Sequence, residues 1–168
     1  LENVITTLTN KLFTDNIIEK KQIFPWFISY YNDNEYYIHP YLNNLIKSNI
    51  DTKKYAIVFI SRIFDSTLHA NILFYNFEKL TIERFEPYGE IYFSNCLQLN
   101  STLEEEIANK LGYKFIFVQS YPGFQIRSDE FEEKNKSYGD PGGFCLAWCI
   151  WYVEIKIKNP NLSEKDLI

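Results

Sequence analysis

The sequence predicts an α+β domain in which a central sheet packs on a buried helix that starts at Cys145. Three observations predict it. Tyr55-Ala56-Ile57-Val58-Phe59-Ile60 is a continuous apolar run of strand length, as a strand covered on both faces requires. Two more strand-like runs follow at hairpin spacing, Ala70 to Tyr75 and Leu80 to Phe85, around the loop Asn76-Phe77-Glu78-Lys79. Finally, Phe144 to Glu154 is apolar nearly all round, with two tryptophans and no breaker, the pattern of an enclosed helix.

The other elements follow in chain order. From Leu1 to Phe24, Val4, Ile5, Leu8, Leu12, Ile17 and Ile18 recur at roughly helical spacing, and Pro25 interrupts the pattern. Trp26 to Tyr31 and Tyr36-Tyr37-Ile38 flank Asn32-Asp33-Asn34, whose turn chemistry predicts a hairpin or a pair of short strands. Tyr41 to Ile50 predicts a helix with Leu42, Leu45 and Ile46 on one face. Ser101 lies three residues before Glu104, a capping-box spacing that opens a helix running to Leu111, with Gly112 at its C-cap. Tyr113 to Val118 is a fourth central strand, and the charged stretch 128–138 reads as a surface insertion. Gly139-Asp140-Pro141-Gly142-Gly143 is a dense turn before the Cys145 helix, which Asn159-Pro160 ends. Leu162 to Ile168 predicts a short last helix with Ser163 as its cap.

Composition bounds the function. At 168 residues, 1–168 reads as a single domain, with 1–50 an N-terminal helical and hairpin extension and 51–168 the core. A chain this long buries about 70% of its unfolded surface. Aromatics at 18% and hydrophobics at 46% exclude disorder, and 6 Gly with 6 Pro exclude collagen-like or linker sequence. A net charge of −5 argues against a nucleic-acid footprint, so no nucleic acid is expected as a partner. There is no signal-peptide pattern at Leu1-Glu2-Asn3-Val4 and no apolar run of about 20 residues, so no membrane is expected either. Three cysteines cannot all pair, which predicts a reduced, intracellular protein. Abundant Ile, Asn, Lys, Phe and Tyr, with four Ala and no Met, point to an AT-rich genome.

The chemistry centres on Cys145. A thiolate at a helix N-terminus is stabilised by the aligned backbone dipoles. Gly142 and Gly143, directly upstream, let the chain turn sharply and leave room for a substrate chain. The alternative is that Cys145 is a small apolar core residue. A nucleophile needs a base and the base an orienting group. Of the two histidines, His39 precedes Pro40 and reads as a loop residue, whereas His69 begins a strand. A turn near residues 77–78 would set His69 opposite Glu86, where a carboxylate fixes the imidazole tautomer. Taken alone, Glu86 would be a solvated strand-end charge. Cys149, one turn past Cys145, should face inward, and Cys96 falls in a loop. The C-x-x-x-C spacing has no second pair, so no metal or other cofactor is expected.

The order His69, Glu86, a Gln and Cys145 resembles the thiol peptidases grouped with the adenovirus proteinase and the SUMO proteases. The resemblance covers about residues 55–158 and is nearest to such proteins of large DNA viruses. It runs through Glu83-Arg84-Phe85-Glu86-Pro87-Tyr88-Gly89 and Gly142-Gly143-Phe144-Cys145-Leu146-Ala147-Trp148. It implies a papain-like topology with a mixed sheet, and catalysis by Cys145, His69 and Glu86 with a Gln in the oxyanion hole. Three departures stand out. Ala70 replaces the aromatic that usually follows the His, and Glu86-Pro87 replaces an Asp usually followed by Ser. The Gln lies farther from the Cys than usual: Gln125, in an irregular loop, is preferred, and Gln119 is held in reserve.

The resemblance implies a peptidase or isopeptidase that cuts after small residues of the Gly-Gly type. Its expected partner is ubiquitin or a ubiquitin-like protein, with a viral polyprotein second. Trp148, Gly142, Gly143 and Asn71 are assigned to the substrate side; Trp151 and Tyr152 could back the cleft, though core packing is preferred for Trp151. An acyltransferase on the same fold and a non-catalytic binding module are the rivals. If the source is viral, the expected location is the host cytoplasm or nucleus.

Overall fold

The apolar run at Tyr55 lies in the middle of a six-stranded mixed sheet, ordered β2-β1-β3-β4-β5-β6. The computed structural model describes residues 23–31, 35–50, 53–64, 67–89, 96–118, 123 and 144–167. The strands are β1 (Ile23–Tyr31), β2 (Glu35–Ile38), β3 (Tyr55–Phe64), β4 (Thr67–Asn76), β5 (Thr81–Phe85) and β6 (Lys114–Val118). Helix α1 spans Leu42–Ile50, and α2 starts at Cys96–Leu103, continuing through a π-helical turn at Glu104–Ala108 to Asn109–Leu111. Helix α3 is Cys145–Lys158 and α4 is Glu164–Leu167. Pairs β1–β3 and β5–β6 are parallel and the others antiparallel.

Alternation along the strands divides the apolar residues between two layers. Val58, Ile60, Leu73 and Tyr75 pack with Leu42 and Ile46 of α1 and with Leu99, Leu103 and Ile107 of α2. On the other face, Phe59, Ile72, Phe74 and Phe85 pack with Cys149, Ile150 and Val153 of α3. A central sheet between two helical layers needs both strand faces apolar, which is why the Tyr55 run does not alternate with polar residues. Each Leu or Ile so buried contributes roughly 1.5–3 kcal/mol.

Several expectations are corrected. Ile23 and Phe24, grouped with the first helical pattern, belong to β1; its pairing with β3 shifts register between Phe24 and Ile28, around Pro25, which has no amide to donate. The rest of that pattern, and the turn Asn32-Asp33-Asn34, lie outside the described residues. Helix α2 starts at Cys96, so Ser101 is interior rather than a cap and Cys96 is not in a loop. The stripe Leu99, Leu103, Ile107 at four-residue spacing carries the helix back past Ser101. It ends where the Gly112 pattern says, with Gly112 at φ 72°. Strand β3 runs on to Phe64 because Ser61 and Arg62, which end the apolar run, are themselves buried.

The hairpin loop also moves by one residue. Asn76 ends β4, its Oδ1 accepts from the Lys79 amide at 3.0 Å, and Leu80 closes the turn at φ 52°. Asn76 therefore pairs with Thr81 and Ile72 with Phe85, so His69 and Glu86 are not direct cross-strand partners. The charged stretch 128–138 and the turn at 139–143 lie outside the described residues.

Candidate active site

The site forms where one strand outruns its neighbour. The β4–β5 ladder ends at Ile72↔Phe85, while β4 reaches back to Thr67. Pro87, having no amide, cannot carry β5 farther. Ala70 is therefore left with backbone groups beyond the end of that ladder, and α3 takes them. Its N–H donates to Cys145 Sγ at 3.4 Å, and its carbonyl accepts from Cys149 Sγ at 3.5 Å. A side chain as small as that of Ala70 lets the helix approach so closely. The amide of Leu146, at the helix N-terminus, also bonds the Cys145 sulfur.

His69 lies three residues beyond the ladder's end at Ile72, and its Nε2 meets Glu86 Oε1 at 2.5 Å. The ring also hydrogen-bonds Cys145, and with Nε2 taken, Nδ1 is the nitrogen that remains for the thiol. Tyr88 lies edge-on to the imidazole at 5.2 Å, and its amide donates to Glu86 Oε1 at 3.1 Å. The second carboxylate oxygen faces two cations, Arg62 Nη1 at 3.4 Å and Arg84 Nη2 at 3.3 Å. Glu86, Arg62 and Arg84 are wholly buried.

These contacts set the charges. Burial works against ionised Glu86, but His69, Arg84 and Arg62 outweigh it and hold the carboxyl at about 2. Burial likewise opposes the His69 cation; Glu86 and the bond to Cys145 overcome this and raise it to about 9. For the Cys145 thiol, burial pushes upward, while His69 and the amides of Ala70 and Leu146 prevail and lower it. Cys149, deeper in the same helix, is driven well up by burial. Two cysteines one turn apart are thus shifted in opposite directions, Cys145 toward the thiolate and Cys149 toward the thiol.

The structure brings together Cys145, His69 and Glu86. Asn71, assigned to the substrate side, is instead fully buried, with its Oδ1 accepting from Arg84. Trp148 and Trp151 meet at 85° and line a shallow apolar pocket with Ala147 and the half-exposed Phe144. Trp151 is part-buried, packed against the α3-side core while bordering this pocket, and Tyr152 lies wholly in the core, stacked on Phe85 at 4.4 Å. His39 caps α1: its carbonyl accepts from the Leu42 amide. Gln119, Gln125, Gly142 and Gly143 lie outside the described residues. Gly123, two residues before Gln125 in sequence, backs onto the Tyr88–Gly89 peptide so closely that a Cβ would fall 2.1 Å from Tyr88 backbone atoms.

Sequence reasoning missed Arg62, Arg84 and Asn100. A signal existed in Glu83-Arg84, adjacent charges inside a strand with neighbours on both sides. Such side chains point to opposite covered faces and each needs a buried partner. Glu83 finds its own in Tyr152 Oη, which donates at 2.6 Å, and Lys156 Nζ at 2.9 Å.

No family model matches the chain. It is 37% identical over 136 residues to the putative ankyrin repeat protein L371 of Acanthamoeba polyphaga mimivirus. That match takes in 68% of this chain, which spans only 18% of the length of that relative. Among solved structures, a de-sumoylating protease is similar at TM-score 0.39 and 10% identity, over 93% of this chain and 60% of that one. The Legionella pneumophila effector RavZ is similar at TM-score 0.33 and 12% identity, over 89% and 52%. Likenesses this distant bear on neither substrate nor mechanism.

Proposed function

We propose that the chain is a cysteine peptidase of the isopeptidase type, acting through Cys145, His69 and Glu86. The observation that carries this reading is the hydrogen-bonded series Cys145–His69–Glu86, with the thiol lowered and the imidazole raised. That arrangement supports a thiolate–imidazolium pair at neutral pH. The thiolate attacks the scissile carbonyl carbon, and the carbonyl electrons move to oxygen. Collapse breaks the C–N bond, and His69 gives its proton to the leaving amine. A water, deprotonated by His69, then attacks the thioester and releases the acid and the thiolate.

The oxyanion needs donors, and the Cys145 amide at the head of α3 is one. Gln125 is proposed as the second, supported by its closeness in sequence to Gly123, which abuts the turn after Glu86. Gln125→Ala is expected to lower turnover by about 10²–10³, the usual cost of one oxyanion donor, and Gln119→Ala to leave most of it. The reverse result would reassign the donor to Gln119.

The proposed substrate is the Gly-Gly tail of ubiquitin or a ubiquitin-like protein. The motif resemblance and the glycines before Cys145 support it, since a narrow approach favours small residues. A polyprotein is the other substrate considered. Host cytoplasm or nucleus is the proposed location, supported by the need of a free thiol nucleophile to stay reduced. The test is a ubiquitin or SUMO probe bearing a C-terminal electrophile. Covalent labelling that disappears in Cys145→Ala supports the reading. Binding without labelling would sink it in favour of a recognition module, and acetyl-CoA consumption in favour of an acyltransferase.

A further inference from the structure

Behind Glu86 lies a buried cation with a role beyond charge balance. Arg84 donates through Nε and Nη2 to Asn71 Oδ1, at 3.0 and 2.5 Å, and through Nη1 to Asn100 Oδ1 of α2, at 2.7 Å. Its Cζ sits 5.1 Å from the centre of the Phe117 ring. The planar fork is thereby fixed by β4, α2 and β6 before it meets Glu86 Oε2 at 3.3 Å. Charged or titratable groups face Glu86 from each neighbouring element. They are Arg62 from β3, His69 from β4 and Arg84 from β5, while Cys149 of α3 senses its charge.

We propose that Arg84 is a positioning residue: anchored by Asn71, Asn100 and the Phe117 ring, its guanidinium holds Glu86 so that Oε1 serves His69. The inference rests on the thiol reading above. Among the described residues, the contact that joins Arg84 to the catalytic series is the one with Glu86. A lysine would supply the charge without the fork, and so would not replace it fully.

The rate of Cys145 alkylation by iodoacetamide against pH tests this without any substrate. Peptide mass spectrometry separates Cys145 from Cys149 and Cys96. Arg84→Met is expected to slow alkylation at neutral pH about tenfold, the effect of one pK unit, and to move the acid limb to higher pH. Arg84→Lys should recover only part of the rate. In a Glu86→Gln background, Arg84→Met should change little further, within about twofold, because the group it orients is already neutral. Equal slowing in both backgrounds, or none in the wild type, would overturn the assignment. Should Arg84→Met fail to fold, Asn100→Ala keeps every charge and carries the same comparison. A wild-type Cys145 that reacts as an ordinary thiol is a separate outcome, which removes the thiol reading and this inference with it.

Discussion

At the scale of single residues, Glu86 connects the chemistry to the interior. One oxygen faces His69 and the other faces Arg62 and Arg84, all within the buried layer. Removing its charge therefore has two consequences. Glu86→Gln is expected to lower kcat/KM by about 10²-fold or more, because the imidazolium loses its counter-ion. It should also cost roughly 3–5 kcal/mol of stability by leaving buried arginines without their anion. Probe turnover and urea titration measure the two separately. The pH profile has a definite sign. Activity should rise through the lowered titration of Cys145 and fall as His69 loses its proton near 9, values that belong to the coupled pair. A profile still rising at pH 10 would contradict the thiolate–imidazolium pair.

At the scale of elements, the decisive feature is the overhang of β4 beyond β5. It leaves Ala70 to bond both cysteines of α3, and so seats the helix N-terminus beside His69. Ala70→Leu should overpack this contact, costing about 1–3 kcal/mol, and should raise the Cys145 titration by displacing the sulfur from the amide. Alkylation against pH would show it; an unchanged profile would mean that α3 is held elsewhere. Gly123 makes the same kind of close approach to Tyr88 and Gly89. Gly123→Ala meets backbone rather than a movable side chain, so it should lower both thermal stability and turnover.

At the scale of the molecule, stability should depend on pH at both ends. Glu86 titrates below its ordinary 4.5, at about 2, so its stabilisation is complete above 4.5 and is lost as pH falls toward 2. His69 is raised from 6.5 to about 9, so its share is complete below 6.5 and disappears as pH rises through 9. Urea unfolding should therefore show greatest stability between about 4.5 and 6.5, with the acid limb flattened in Glu86→Gln. Both limbs surviving unchanged in that variant would assign them to other groups.

Much of the layout was legible because it is written locally. The Tyr55 run, the Leu42–Ile46 stripe, the Gly112 stop and the apolar helix from Cys145 each follow from neighbours within a few residues. Ser163 likewise sits at the N-terminus of α4, where the Asp166 carboxylate accepts from its amide at 3.3 Å and from its hydroxyl at 2.6 Å. What only the tertiary structure decided depends on partners far along the chain. A one-residue change in the turn at Leu80 reset the register, and His69 reaches Glu86 along the diagonal of the sheet rather than directly across it. Arg62 and Arg84 converge on one carboxylate from two strands while Asn100 of α2 holds Arg84 from behind, a match no local pattern contains. By itself the sequence determined the central strands and the cores of the helices among the described residues, and which thiol opens a buried helix. The packing of the sheet decided that residue's electrostatic surroundings, because burial makes every unpaired charge costly and only the assembled layers can supply the partners.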